Sequence, residues 1–239
     1  MPIFKHSGYN GDIIYSLRAT KELGGGNYYV DYETSYLGSK ESLGEERSKA
    51  LADLISTQKY IKKAGICGRY KKSDFDFDRF RIFSPKRLFF QHLALTHWMA
   101  CGRCDDIDLT QKWFTIDPIK KAEIVICRSD RRWSKDFAWK KLEPYKERCL
   151  FLGHKREWKR FCGSCFKVPN YEVNNLVEFA QIIAGCKLFV GNQSFGFSLA
   201  EAMKVNRILE VFEESPNCKP QTLNGHMVLH DKFLRKYLK

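Results

Sequence analysis

Apolar residues recur along this chain in two rhythms that alternate. MPIFKHS is a short apolar run that meets a glycine turn, which predicts a strand. GDIIYSLRATKEL follows with Ile13, Ile14, Leu17 and Leu23 on roughly one helical face, and Gly24 to Gly26 closes that helix. NYYVDYE is aromatic and β-branched enough for a second strand. SLGEERSKALADLISTQKYIKKAG carries a stripe of Leu51, Leu54, Ile55 and Ile61 and predicts one helix closed by Gly65. Residues 69–87 have no clear period and read as loop or short strand, and RLFFQHLALTHWMAC predicts one apolar helix.

Near Trp113 the rhythm restarts and alternates strand with helix to the end. The predicted strands are EIVICRS, RCLFLGH, CFKVPN, KLFVGN and RILEVFE, and the predicted helices are SKDFAWKKLEPYKE, EWKRFCG, NNLVEFAQIIAGC and SFGFSLAEAMKV. The break predicts two domains, residues 1–112 and 113–239. Alternation of this kind defines an α/β fold with parallel sheets covered on both faces, wound right-handedly. Ligands of such sheets gather at the carboxyl ends of strands. Four turns therefore matter: HSGYNGD, RSDRRW, GHKREW and GNQSFG.

Composition narrows the partners. With 44% hydrophobic and 14% aromatic residues the chain can build a core, and no segment reads as disordered. The longest apolar stretch, Leu176 to Val190, is interrupted by Glu178, Gln181 and Lys187 and falls short of the roughly 20 residues of a membrane helix. No apolar leader follows Met1, so a soluble, cytoplasmic protein is expected. Nine cysteines, an odd count, fit reduced thiols. The CxxC pairs Cys101/Cys104 and Cys162/Cys165 lie too far apart along the chain for a ribbon-type zinc site, so zinc is not expected. The formal charge of +13 implies an anionic partner: nucleic acid, a phosphorylated metabolite or an acidic membrane surface.

The polar turns have the right groups for phosphate. Asn192, Gln193 and Ser194 precede a helix whose first N–H groups lack internal partners, a place that attracts anions and equally suits an ordinary cap. Arg128, Arg131 and Arg132 put fixed cations after another strand, and arginine grips phosphate in bidentate fashion; a solvated basic cluster is the alternative. In the first turn, Ser7, Gly8 and Gly11 let a ligand approach the backbone, and Asp12 at the helix start either caps or takes a proton. His6 and His154 stand at strand ends, and no HExxH, GxGxxG, GxxxxGK[ST] or GxSxG occurs.

Taken in order, these turns resemble the GT-B glycosyltransferases of the heptosyltransferase type, glycosyltransferase family 9. SGYNGDIIYSLRATKEL is similar to the family's opening Gly-Asp turn and helix, and RSDRRWSKDFAWKKL to its Arg-x-Asp-Lys-x-Trp segment. NLVEFAQIIAGCKLFVGNQSFGFSLAEAMKVNRILEV is similar to the helix, strand, polar turn and helix near its donor site. The likeness is strongest from Val168 to Val211. It implies two Rossmann-like parallel-sheet domains, the N-terminal, acceptor-side one reduced, and a C-terminal domain holding a nucleotide-sugar donor. It further implies inverting transfer to a hydroxyl acceptor without a metal or other cofactor. Residue by residue, it makes Asp12 the base and places Ser7, Gly8 and Gly11 in the acceptor-side loop. Arg128, Arg131, Arg132, Asn192, Gln193 and Ser194 become donor-binding residues, with Glu201 reaching the donor ribose. A glycan or lipid-linked acceptor, and with it peripheral contact at the inner membrane surface, belongs to the same expectation. Gln193-Ser194-Phe195 departs from the family's Asp-Thr-Gly, which leaves the donor open. Two other readings stand beside this one: a catalytically inactive sugar-nucleotide binder, and a non-catalytic nucleic-acid or polyanion module suggested by the charge and by RFRIFSPKRLFF.

Overall fold

The computed structural model describes residues 1–35, 42–83 and 85–238, with the side chains of residues 85, 87 and 233 left aside. The chain divides into two units, Met1–Thr115 and Ile116–Lys239.

The first unit opens with β1 (Ile3–His6), α1 (Asn10–Glu22), β2 (Gly26–Asp31), α2 (Glu45–Ser56), β3 (Ile61–Cys67) and β4 (Phe75–Asp76). A 3₁₀ segment (Phe77–Ile82), α3 (Pro85–Phe90) and α4 (Leu93–Ala100) follow. Its four strands are all parallel in the order β3-β2-β1-β4. Phe4 on β1 sits among rings, with Phe75 at 5.2 Å, Phe77 at 5.9 Å and Tyr28 at 6.4 Å between centroids, their planes nearly parallel to its own. The left-handed Gly25 and Gly26 bring the end of α1 hard against the chain: a Cβ on Gly25 would lie 1.9 Å from Tyr60 O, and on Gly26 2.3 Å from Pro2 O.

Two sequence expectations fail in this unit. The single helix predicted through Gly65 stops at Ser56, and Ile61–Cys67 is a strand pairing with β2. The helical stripe ended on Ile61, yet Thr57 and Gln58 turn the chain, and the exposed backbone of β2 takes KYIKKAGIC as its edge partner. The apolar helix predicted from Arg87 is two helices, because His92 leaves helical geometry and its ring accepts the N–H of Ala94 as the cap of α4.

The second unit runs β5 (Ile124–Cys127), a 3₁₀ segment (Trp139–Arg148), β6 (Cys149–Leu152), α5 (Lys155–Ser164), β7 (Asn170–Tyr171), α6 (Leu176–Ala184), β8 (Leu188–Asn192), α7 (Phe195–Met203), β9 (Arg207–Glu210), β10 (Gly225–His226) and α8 (Asp231–Tyr237). The helix predicted over SKDFAWKKLEPYKE is 3₁₀ in its second half and holds Pro144, which cannot donate within an α-helix. CFKVPN pairs only at its end, as Asn170–Tyr171. β10 and α8 were not predicted; Leu229, Leu234 and Leu238 tie the chain end to Ile126, Phe151, Val190 and Ile208 in the core.

The six strands are parallel in the order β10-β9-β8-β5-β6-β7. Counted from the unit's own first strand this is the 3-2-1-4-5-6 order of dinucleotide-binding sheets, and the order reverses between β5 and β8. In the first unit β1 and β4 flank the equivalent point. The fold is thus α/β with two Rossmann-like parallel sheets, the first unit having four strands to the second unit's six among the described residues.

Candidate functional site

In the second unit the reversal point brings together the turns after β5 and β8. Asn192, fully buried, ends β8 and lashes the β5 turn in place. Its Oδ1 accepts the Ser129 N–H at 2.9 Å, and its Nδ2 donates to the carbonyls of Ser129 at 3.1 Å and Arg131 at 2.5 Å. Trp133 closes the same turn by donating its indole N–H to Ser129 O. Asp130 is ion-paired with Arg156 and Arg160 on the α5 side. On this anchored turn the side chains of Arg131 and Arg132 are exposed, and Arg132 holds a left-handed φ of 56°.

Arg128 has a different position from the other two arginines. It gives Glu210 a two-point grip, Nε to Oε2 at 2.8 Å and Nη2 to Oε1 at 2.7 Å, with Glu210 fully buried at the end of β9. Its guanidinium lies 4.7 Å from the Trp133 ring centroid and 5.4 Å from that of Trp139. Expected as a phosphate ligand, Arg128 is committed to a carboxylate that sequence reasoning missed; the one signal was an acidic residue ending the apolar run RILE.

Gln193 also turns inward. Its Nε2 donates to Ser215 O at 2.7 Å and Asn217 Oδ1 at 3.1 Å, and its Oε1 accepts the Phe212 N–H at 2.8 Å, so it ties the chain after β9 and does not face outward. Glu201 is the clearest correction. It is fully buried on α7, where it accepts from Arg207 Nε at 2.5 Å and from Lys204 Nζ, and a side chain so enclosed has no access to a ribose.

The start of α7 lies at the same reversal point. Ser194 is its half-buried N-cap, its hydroxyl donating to Asn192 O, and Phe195 and Gly196 begin the helix. Gly196 is required by contact: a Cβ there would lie 2.8 Å from Cys127 Sγ, so only glycine lets the helix start rest on the end of β5. The Cys127 thiol, pushed up to about 12 mainly by burial, is a packing group and no nucleophile.

In the first unit the turn after β1 rests on a buried polar cluster. Asp78 Oδ1 accepts the Ser7 N–H and lies 2.9 Å from both His6 Nδ1 and Arg81 Nη1, while Asp78 Oδ2 accepts the Ser7 hydroxyl at 2.7 Å. Burial raises the Asp78 carboxyl, but the His6 hydrogen bond and charge, the Arg81 charge and the Ser7 hydroxyl outweigh it and hold the group well below the usual range. His6 Nε2 meets His97 Nε2 at 3.0 Å, and His97 Nδ1 donates to Leu93 O at 2.7 Å. Burial drives His97 well below the usual histidine value, so it is neutral, its Nε2 accepts, and His6 Nε2 carries the proton between them.

Ser7 is thus spent on Asp78. Gly8 is pressed between the His6 ring and Asp12: a Cβ there would lie 2.5 Å from His6 Cε1 and 3.0 Å from Asp12 Cβ. Gly11 and Asp12 follow in the first turn of α1, both half-buried, with Asp12 its acidic residue. Asp78 and His97 lie 72 and 91 residues beyond His6, and the only local hint of the cluster was a histidine at a strand end. His154 is the cap of α5, its N–H donating to Glu157. Among the described residues no group of three or more His, Cys, Asp or Glu is placed to hold a metal ion, and no helix is long and apolar enough to cross a membrane.

Two Rossmann-like parallel sheets in one chain, each with polar turns at its reversal point, define a GT-B-like fold. The solved structures it resembles are heptosyltransferases and their relatives. Escherichia coli heptosyltransferase WaaC with ADP-2-deoxy-2-fluoro heptose is 12% identical, with 100% of this chain and 99% of that chain covered and a TM-score of 0.56. A glycosyl transferase family 9 protein from Veillonella parvula is 11% identical over 98% and 90%, at 0.58. E. coli ADP-heptose LPS heptosyltransferase II is 9% identical over 100% and 97%, at 0.53. No protein-family model and no curated protein matches the chain.

Proposed function

We propose that this protein is a glycosyltransferase that moves a sugar, with inversion, from a nucleoside-diphosphate sugar to a hydroxyl acceptor. The observation that carries the reading is the reversal point of the six-stranded sheet, where the start of α7 and the arginine-bearing turn are tied to one another by Asn192. The donor diphosphate is assigned to the N–H groups at the start of α7, the Ser194 hydroxyl and the side chains of Arg131 and Arg132. The similar WaaC structures are complexes with ADP-2-deoxy-2-fluoro heptose and with ADP, which makes an ADP-sugar the first donor to try.

In the proposed reaction Asp12 takes the acceptor hydroxyl proton as the oxygen bonds to the anomeric carbon. The bond from that carbon to the diphosphate oxygen breaks in the same displacement, and the nucleoside diphosphate leaves with the electron pair. Negative charge grows on the leaving group, and the helix N–H groups and the two arginine cations are assigned to offset it.

The test is thermal denaturation with ADP, UDP, GDP and CMP and their sugar conjugates. Saturation at about 100 times Kd stabilises the native state by about 2.7 kcal/mol, a shift of several degrees that Arg131→Ala should remove. Release of ADP from ADP-heptose, with water or an added hydroxyl compound as acceptor, should be abolished in Asp12→Asn while binding persists. Absence of any shift with every nucleotide overturns the reading.

A further inference from the structure

We infer that Glu210 is a positioning residue for the donor diphosphate, acting through the turn that bears Arg131 and Arg132; the inference rests on the donor site proposed above. Glu210 ends β9 and Asn192 ends β8, and the two are register partners in the sheet, both fully buried. Neither belongs to β5, yet together they fasten the chain that leaves it. Asn192 holds the middle of the turn, at Ser129 and Arg131. Glu210 holds its two ends. Its Oε1 accepts from Arg128 Nη2 at 2.7 Å and from the Ser134 N–H at 3.1 Å, while its Oε2 accepts from Arg128 Nε at 2.8 Å.

A buried carboxylate is tolerated only when it is paired and its oxygens are occupied, and here every one of those printed partners belongs to the turn. Arg128 is itself enclosed, with 11% of its side chain exposed. Its guanidinium lies 4.7 Å from the Trp133 ring centroid, and that of Arg160 on α5 lies 5.1 Å from the same ring, so the grip on Arg128 also steadies Trp133. Arg131 and Arg132 stand between these fastened points with their side chains exposed. Ordering completed in the free protein is not charged again when a ligand binds, so a fixed turn holds a diphosphate more tightly than a loose one with the same two cations. Charge alone argues the opposite. Glu210 is an anion near the proposed phosphate site and keeps Arg128 from the phosphate, so on that account neutralising it should tighten binding. The two accounts differ in sign.

The experiment is calorimetric titration of the full chain with ADP, UDP and GDP well below the unfolding transition, with melting recorded in parallel. Glu210→Gln keeps the shape of the side chain and removes its charge. It should weaken whichever nucleotide binds wild type by about tenfold or more, the factor for one charge-assisted hydrogen bond. Because that variant also leaves Arg128 without its counter-charge, a second one separates position from stability. Arg128→Met with Glu210→Met removes the buried pair whole, an exchange that is often neutral for stability. It should melt near wild type with circular dichroism unchanged, exchange the Ser134 amide faster and bind the nucleotide about tenfold more weakly. In both variants the salt dependence of binding should flatten, since cations no longer held at the diphosphate supply less of the attraction; a residue that only stabilises the fold would leave that slope alone. Affinity equal to or tighter than wild type in either variant overturns the inference and leaves the donor site standing, as does a loss in Glu210→Gln that the double variant restores. A wild-type chain that binds none of the three nucleotides overturns the donor site itself, and the inference with it.

Discussion

Replacing Glu201 with alanine separates a structural role from a binding role. Glu201 and Arg207 are both fully buried, and the carboxylate bridges Arg207 and Lys204. Deleting it leaves two cations enclosed together. Arg207 keeps hydrogen bonds to Val205 O at 3.0 Å, Asn224 Oδ1 at 3.2 Å and Thr222 Oγ1 at 2.9 Å, which limits the damage but supplies no negative charge. Breaking a buried ion pair by removing one partner costs about 3–5 kcal/mol, and the retained bonds argue for about 3 kcal/mol here. With an m-value of about 2 kcal/mol/M the urea midpoint of the second unit should fall by about 1.5 M. Hydrogen exchange of the β8 and β9 amides reports that unit separately. Glu201→Gln keeps an acceptor for one partner and should lose less. ADP affinity measured well below the transition should match wild type in both variants. A Glu201→Ala protein with an unchanged midpoint and weakened ADP binding would refute this account and return Glu201 to the ligand.

Further outcomes follow from the same geometry. Asn192→Ala removes the acceptor of the Ser129 N–H and the shorter of two bonds to the Arg131 carbonyl, which keeps the Ser129 hydroxyl at 3.4 Å, so the cost should be about 1–3 kcal/mol in all; it should destabilise the second unit and weaken ADP binding, and faster exchange of the Ser129 amide checks the first part. Gly196→Ala forces α7 away from Cys127 and should cost about 1–3 kcal/mol, read as a lower melting midpoint. Asp78 has a folded value depressed below its unfolded one, so its contribution is present above about pH 4 and is lost as pH falls toward the folded value; Asp78→Asn should flatten acid unfolding of the first unit in that range. Among the free cysteines, exposed Cys104 should react first with a thiol reagent at neutral pH. Cys101, Cys127 and Cys149, each pushed up to about 12 chiefly by burial, should react only on unfolding, as mass spectrometry of labelled peptides would show.

By itself the order of apolar runs determined the α/β class, the parallel sheets and the position of β1, α1, β5, β8, α7 and β9, because each rests on local features: short apolar runs, glycine stops and helical stripes within one window. It also marked which turns would be polar and would lie at strand ends. Tertiary structure decided the rest. KYIKKAGIC is a strand because β2 offers it a ladder, and no feature within the segment outweighs the helical stripe that ends on Ile61. Strand order, and with it the two reversal points, depends on pairings such as Ile124 with Leu188 that cross tens of residues.

The direction of each polar side chain was equally out of reach. Gln193, Glu201 and Arg128 have residue types suited to a ligand, but Asn217, Arg207 and Glu210 draw them inward. A buried polar group must be paired by whatever the fold places within about 3 Å, and spacing along the chain carries no record of that partner. Asn192, Ser194, Arg131, Arg132 and Asp12 remain at the turns where the sequence put them; that their turns stand at the points where strand order reverses is a property of the two sheets alone.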